Sequence, residues 1–321
     1  MRHLPPPVDA MEFHPDSESI LDAILDEAER NNIHTYQKRP SNRLQISSLM
    51  NLVCGLVKEI ETALTKRPDT DVTVPVVLDI GAGKALFTRG VFEALNGQVA
   101  AVALDSRKPC KTDQVYDPPP GSAYTRLVAD VRSMTESTLA ALKGNEEGES
   151  EGGVVAMTKH LCGGATDACL TALCVPPLAS YIGACCFAPC CHQKTKRTQY
   201  CNLPFLEAQG FCNTHVGVRG QVQDVDWKNF RMLVSMSKGG LNAGITEGGE
   251  YKNSQMLQVL GRDRACKMGR QARRLLEEGR MQYLQDHGFD TVLVKYCDET
   301  VTGDNWAIIA RKRSVLNSVH R

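Results

Sequence analysis

The chain has 321 residues, 42% of them hydrophobic and 23% charged, and its 37 Lys and Arg equal its 37 Asp and Glu. That composition suits one large globular domain with room for an appendage, and it holds no apolar run of membrane-spanning length. Thirteen cysteines, in a chain whose start has neither a signal-peptide core nor an Arg-rich transit face, point to free thiols, metal ligands or catalytic groups in an intracellular, cytoplasmic or nuclear setting.

Residues 1–16 are Pro-rich and are expected to be flexible. A helical extension follows over 17–72. Ser17 caps a first helix with Ile20, Ile24 and Leu25 at helical spacing, and a second runs over about 42–64 with Leu44, Leu49, Leu52, Val53, Leu56 and Ile60 as its apolar stripe. From 73 to 321 the rhythm changes. VPVVLDI (74–80), VAAVALD (99–105), TRLVAD (125–130), VVAMTKH (154–160) and ASYIGACC (179–186) read as strands. Helices are expected between them at about 86–95, 132–142 and 165–174. A long helix over roughly 254–286 ends at Gly288, a suitable C′ glycine, and 290–297 and 306–312 form a closing hairpin. The expected fold is α/β: a mostly parallel seven-stranded sheet ending in an antiparallel hairpin, as in Rossmann-like S-adenosylmethionine-dependent methyltransferases. Gly-rich acidic segments at 144–153 and 237–253 read as mobile loops.

The first strand runs into LDIGAGKALF, which puts Asp79, Gly81, Gly83 and Lys84 where ligands of such sheets bind. The third glycine of G-x-G-x-x-G is replaced by Leu86. That disfavours a pyrophosphate cradle and fits a phosphate-free cofactor, S-adenosylmethionine. Asp105 ends the second strand, positioned to accept from both ribose hydroxyls, and Asp130 ends the third, positioned to reach the adenine amino group. A nicotinamide enzyme is the main rival at Asp105. DPPP (117–120) lies too early for a catalytic Asp-Pro-Pro element and reads as a rigid loop.

Lys159 and His160 end the fourth strand, facing the transferable methyl group. Gly163 and Gly164 allow a tight turn, and Thr166 or Asp167 can cap the next helix. In GACCFAPCCHQK (183–194), Cys185 and Cys186 belong to a buried strand and point to opposite faces, while Cys190, Cys191 and His192 lie beyond its end. Neither cysteine pair has zinc-ligand spacing; only cross-pairs, such as Cys186 with Cys190 or Cys191, come near it. No metal site is expected. Two basic stretches, Lys194, Lys196 and Arg197, and the 262–280 helix with Arg270, Arg273 and Arg274, are either solvated surfaces or phosphate contacts.

KHLCGGATD (159–167) resembles the KHLCG-x-ATD signature of the tRNA methyltransferase 13 family. DIGAGKALF resembles that family's acidic-x-GAGKG-x-L element. CCHQKTKRTQYC resembles its CCHH-R-C segment, and GRDRACKMGRQARRLLEEGRMQYLQDHGF its C-terminal helix. These similarities run from about residue 75 to the end. They imply S-adenosylmethionine-dependent methylation of the ribose 2′-hydroxyl of nucleotide 4 in the tRNA acceptor stem, with Lys159 also beside the cofactor. The family's zinc modules before the catalytic domain have no counterpart in the first 75 residues, which hold only Cys54. Gln193 and Thr195 replace a family histidine and cysteine, and the family's R-M-x-S-W-A stretch survives only as Arg231, Met232 and Ser235.

A 2′-hydroxyl needs a base or a nearby cation. His160 is the expected proton acceptor and Lys159 the cation for the developing alkoxide, with Asp167 orienting either one and His192 the second-choice base. Alternatives are a methyltransferase of the same fold acting on another RNA or a protein, and a non-catalytic scaffold subunit.

Overall fold

The computed structural model describes residues 8–9, 15–30, 40–66, 74–108, 116, 118, 120–133, 152–211, 215–216, 222–223, 227–238 and 259–316. A two-residue strand, β1 (Val8–Asp9), precedes two helices, α1 (Pro15–Arg30) and α2 (Pro40–Thr65). Both helices begin at a proline, whose fixed φ suits the first helical position. Then come β2 (Val76–Ile80), α3 (Leu86–Ala94), β3 (Ala100–Asp105), β4 (Tyr124–Val128), β5 (Val154–Thr158), α4 (Gly164–Leu173), α5 (Leu178–Tyr181) and β6 (Ile182–Phe187). Next are α6 (Leu203–Ala208), a small hairpin β7 (His215–Val216) and β8 (Val222–Gln223), α7 (Trp227–Ser237) and α8 (Arg262–Asp286). β9 (Phe289–Lys295), β10 (Trp306–Lys312) and α9 (Arg313–Leu316) close the chain.

The main sheet has the order β1-β9-β10-β6-β5-β2-β3-β4. β4, β3, β2, β5 and β6 are mutually parallel, and β10 runs antiparallel to both β6 and β9. Seven of these strands match the Rossmann-like methyltransferase arrangement expected from the sequence. The eighth, β1, lies parallel to β9 at the sheet edge, within the segment expected to be flexible.

The central strands are apolar on both faces because both faces are covered. α1, α2 and α3 bury Leu21, Ile24, Leu49, Met50, Val53, Leu56, Ile60 and Val91 against Val77, Val155, Met157, Ala184 and Cys186. Leu170, Leu173 and Leu284, from α4 and α8, cover Leu78, Val102, Ala156, Cys185 and Phe187 on the other face. Cys185 and Cys186 thus enter opposite cores, as their adjacency dictates. A fully buried Leu56 is worth roughly 2–5 kcal/mol against truncation to alanine. The helical extension is therefore one wall of the catalytic-type domain and shares its core.

A third cluster, with Tyr200, Leu206, Phe230, Leu233 and Leu276, joins α6, α7 and α8. Gly288 follows α8 at φ 91°, the left-handed conformation of a C′ glycine. Most of the expected 132–142 helix and of the expected mobile loops 144–153 and 237–253 lies outside the described residues, as do residues 254–258 of the long helix.

Candidate methyl-transfer site

β2 pairs with β3 on one side and β5 on the other, so the topological switch point lies at the carboxyl ends of β2 and β5. A cleft opens there between Asp79 near the end of β2, with Gly81 and Ala82 just after it, and Lys159 and His160 after β5. Ile46 of α2 with Leu86 and Phe87 of α3 supplies its apolar wall.

Asp79 is 2% exposed. Burial pushes its pKa up to about 7, against the opposing hydrogen bond that Thr88 Oγ1 donates to Oδ2 at 2.7 Å. Gly81, at φ 78°, turns the chain so that the Gly81 and Ala82 amides both donate to Leu104 O, at 2.8 and 3.0 Å. Ala85 follows at φ 61°, a left-handed position where the GAGKG element has glycine.

Asp105 accepts the Gly83 amide on Oδ2 (2.9 Å) and the Arg107 amide on Oδ1 (3.0 Å). Each carboxylate oxygen has a further lone pair for a hydroxyl donor. Arg126 donates to Gly83 O at 2.9 Å and braces the same loop. Asp130 is engaged by its neighbour: the Arg132 amide and Nε donate to Oδ1, and Nη2 to Oδ2 at 2.6 Å. The Arg132 bonds hold its pKa down at about 2. Lys84 contributes its carbonyl to the Tyr116 amide at 2.7 Å.

Lys159 Nζ and His160 Nε2 are 3.0 Å apart. Burial lowers the Lys159 pKa to about 8. His160 is exposed at the mouth of the cleft; its partial desolvation there, and then the Lys159 charge, lower its pKa to about 4. At neutral pH the imidazole is therefore uncharged and accepts from the ammonium.

The structure separates His192 and Asp167 from that pair. His192 is 3% exposed and bonds through Nε2 to Glu277 Oε1, which also accepts from Arg280 Nη1 at 3.0 Å. Burial lowers the His192 pKa despite the adjacent Glu277 carboxylate, so the neutral ring donates to it. Asp167 is fully buried; Arg280 Nε and Nη2 donate to its two oxygens at 3.0 and 2.7 Å, and the Cys201 amide at 3.3 Å. Asp167 thus holds Arg280 rather than orienting Lys159 or His160, and His192 is committed to the interior rather than exposed as a second base. The reason is the course of α8, which carries Glu277 and Arg280 beneath the loops after β5 and β6.

The same course revises the basic helix. Arg273, 2% exposed, is spent on Gly303 O and Asp304, and Arg274 pairs with Glu278. Neither fits the expected phosphate contact. Arg270 is half exposed but pairs with Glu299. Arg264, Lys267, Lys194 and Lys196 are exposed, and Arg197 is partly so.

The loops after β5 and β6 meet at a parallel bridge between Cys162 and Cys190, and Gly163 donates to Cys190 O at 3.1 Å. This brings Cys162 Sγ to 3.4 Å from Cys190 Sγ, beside Cys191. Sequence reading missed that convergence, and it missed Thr88, Ile46, Glu277 and Arg280. Thr88 and Ile46 carry no local signal. Arg280 sits in GRMQYL (279–284), within the segment that resembles the family's C-terminal helix.

Residues 55–311 match the family model described as methyltransferase TRM13. A protein of Eremothecium gossypii named tRNA:m(4)X modification enzyme TRM13 is 30% identical over 203 residues, which cover 61% of this chain and 41% of that protein. One of the same name from Kluyveromyces lactis is 28% identical over 164 residues, 50% of this chain and 36% of that one. The chain thus spans about two fifths of the length of the curated relatives it matches. A cyclopropane-fatty-acyl-phospholipid synthase-like protein from Lactobacillus casei covers 86% of this chain and 78% of its own at 10% identity, with a TM-score of 0.37. No described helix is long and apolar enough to cross a membrane.

Proposed function

We propose, for a chain that belongs to the TRM13 methyltransferase family, that it methylates the ribose 2′-hydroxyl of nucleotide 4 in the acceptor stem of tRNA, using S-adenosylmethionine. The observation that carries this reading is the Lys159–His160 pair, 3.0 Å apart at the end of β5, in the same cleft as Asp79 and Gly81.

The donors in the cleft fit the cofactor. Asp79 is a buried acceptor at its head, Gly81 leaves room for a close backbone approach, and Asp105 keeps acceptor capacity on both oxygens for a pair of ribose hydroxyls. Ile46, Leu86 and Phe87 offer an apolar wall for a flat base. Asp130 reaches an adenine amino group only after sharing or releasing Arg132. Bound there, S-adenosylmethionine supplies an electrophilic methyl group.

The chain's own contribution is to position the hydroxyl and take its proton. Of the two candidates, Lys159 is the better acceptor. Its pKa of about 8 leaves a useful fraction of free amine near neutrality, whereas His160 at about 4 is a weak base. Lys159 would therefore take the 2′-hydroxyl proton, with His160 orienting the amine through its Nε2; the cofactor, held at Asp79, Gly81 and Asp105, would give up its methyl group by cleavage of the methyl–sulfur bond and leave as S-adenosylhomocysteine. The sequence alone favours His160 as the acceptor and Lys159 as the cation for the alkoxide; the lowered lysine pKa favours Lys159 as the acceptor instead. Exposed Lys194, Lys196, Arg264 and Lys267 are the candidates for phosphate contacts, which give position with little sequence information.

The test is transfer of a labelled methyl group from S-adenosylmethionine to total tRNA, followed by mapping of ribose methylation. Label at nucleotide 4 that is lost in Lys159→Ala supports the reading. Label on another RNA or a protein moves the substrate, and cofactor binding without any transfer points to a scaffold subunit.

A further inference from the structure

We propose that Cys162, Cys190 and Cys191 form a thiolate site for a soft divalent ion, zinc in the first instance, which clips the loop after β5 to the loop after β6. All three Sγ atoms lie within 4.8 Å of one another. The Cys162–Cys190 separation of 3.4 Å is far longer than a disulfide bond and close to the roughly 3.8 Å edge of a tetrahedron built on metal–sulfur bonds of about 2.3 Å.

The backbone builds this convergence. Cys162 and Cys190 are partners in a parallel bridge. Cys191 adopts φ 53°, ψ 40°, a left-handed conformation that a side chain with a Cβ takes only at a cost. The Lys194 amide donates to Cys191 O at 2.8 Å and fixes that turn. Gly163, at φ 60°, lets the first loop lie against Lys194; a Cβ there would stand 2.8 Å from Lys194 Cβ.

The donor chemistry selects the ion. Three sulfurs and no carboxylate favour zinc or another thiophilic metal over magnesium or calcium. Among the described residues the group contains no fourth His, Cys or carboxylate, so a water or an added ligand completes the shell. His192, the obvious fourth ligand by sequence, is instead held by Glu277. Sequence spacing hid the site because Cys190 and Cys191 are adjacent and their partner is 28 positions away.

The ion would couple two loops, one of which carries Lys159 and His160, so its role is to hold the cleft. The three sulfurs would bind it whatever the methyl acceptor is.

The experiment uses the full chain purified with a thiol reductant. Metal content is measured by mass spectrometry, and cobalt is then added to the metal-stripped chain to read the sulfur-to-cobalt charge-transfer band. One zinc per chain is expected, with a cobalt band that zinc abolishes. Cys162→Ser and Cys191→Ser should each weaken binding by more than the roughly 10- to 100-fold that losing an outer partner costs. Cys54→Ser, remote on α2, should bind like the parent. Circular dichroism establishes that each variant is folded. A parent chain that takes up neither metal overturns the proposal. So does a band that persists in the Cys162→Ser/Cys191→Ser double variant, or a Cys162–Cys190 disulfide formed in preference to metal binding under reductant.

Discussion

Arg280 grips Asp167 with two nitrogens, Nε on Oδ1 at 3.0 Å and Nη2 on Oδ2 at 2.7 Å, joining residues 113 positions apart in the interior. With Glu277 and His192 this pair ties α8 to the start of α4 and to the loop after β6. Removing one partner leaves a buried charge without compensation, which costs about 3–5 kcal/mol. Arg280→Leu is therefore expected to lower the urea midpoint sharply. Asp167→Asn should also lower it, while the transfer rate per folded molecule stays near the parent's. A rate loss with unchanged stability would restore a catalytic role to Asp167.

Lys159→Ala and Lys159→Arg should both lose methyl transfer by roughly 10²–10⁴-fold, the usual worth of general-base catalysis. Arginine keeps the charge but cannot release a proton, so it separates the base from the cation role. In the parent, the rate should rise with pH and level off above about 8, where the lowered lysine pKa leaves the amine free. Full activity of Lys159→Arg would return the proton to His160.

Asp79 makes stability depend on pH. Its pKa rises from 3.8 unfolded to about 7 folded, so the native state holds the extra proton between those values. Stability contributed by this group is greatest below pH 4 and declines as pH rises to 7. Asp79→Asn keeps an acceptor for Thr88 and removes the buried charge. Its unfolding free energy relative to the parent, read from urea titrations, should therefore be higher at pH 8 than at pH 5, by a difference on the order of a few kcal/mol. Cofactor binding by the same variant, read by calorimetry, should weaken.

Charge reversal separates surface cations from internal ones. Lys194→Glu/Lys196→Glu should weaken tRNA binding and reduce the slope of log affinity against log salt by about 1 for each phosphate no longer neutralised. Arg273→Gln should instead reduce stability, because its guanidinium is spent on Gly303 and Asp304. Equal salt slopes for the surface variant and the parent would remove the Lys194–Lys196 segment from the interface.

Gly279 offers a packing test. Alanine is favoured over glycine inside a helix by about 1 kcal/mol, yet a Cβ at 279 would run into the Tyr200 phenol and come within 2.9 Å of Phe205 Cδ1. Tyr200 is itself anchored by donating to Leu276 O at 2.7 Å. Gly279→Ala should thus destabilise by roughly 1–3 kcal/mol, as overpacking does; a higher melting temperature would show that Tyr200 moves freely.

Local pattern carried the fold a long way. Apolar β-branched runs located β2, β3, β5 and β6, because a strand buried on both faces must be apolar throughout. The glycines after β2, and the Lys159–His160 pair after β5, were legible because strand ends in this topology line the cleft. Side-chain commitments were not legible in the same way. Nothing near Asp167 reveals that Arg280 will claim both its oxygens, and nothing near Arg273 reveals Asp304.

The sequence by itself determined the seven core strands, the helices α1 to α4 and α8, and the residues at the strand ends, which follow from short-range periodicity and turn chemistry; the family signatures came from motif resemblance. Only the tertiary structure decided which charges face water and which thiols meet. Burial and pairing depend on how distant segments pack: α8 turns Arg273 and Arg280 inward, and a parallel bridge sets Cys162 beside Cys190. The GACCFAPCCHQK segment acquired its third sulfur from a loop closed by the sheet, which no spacing within the segment encodes.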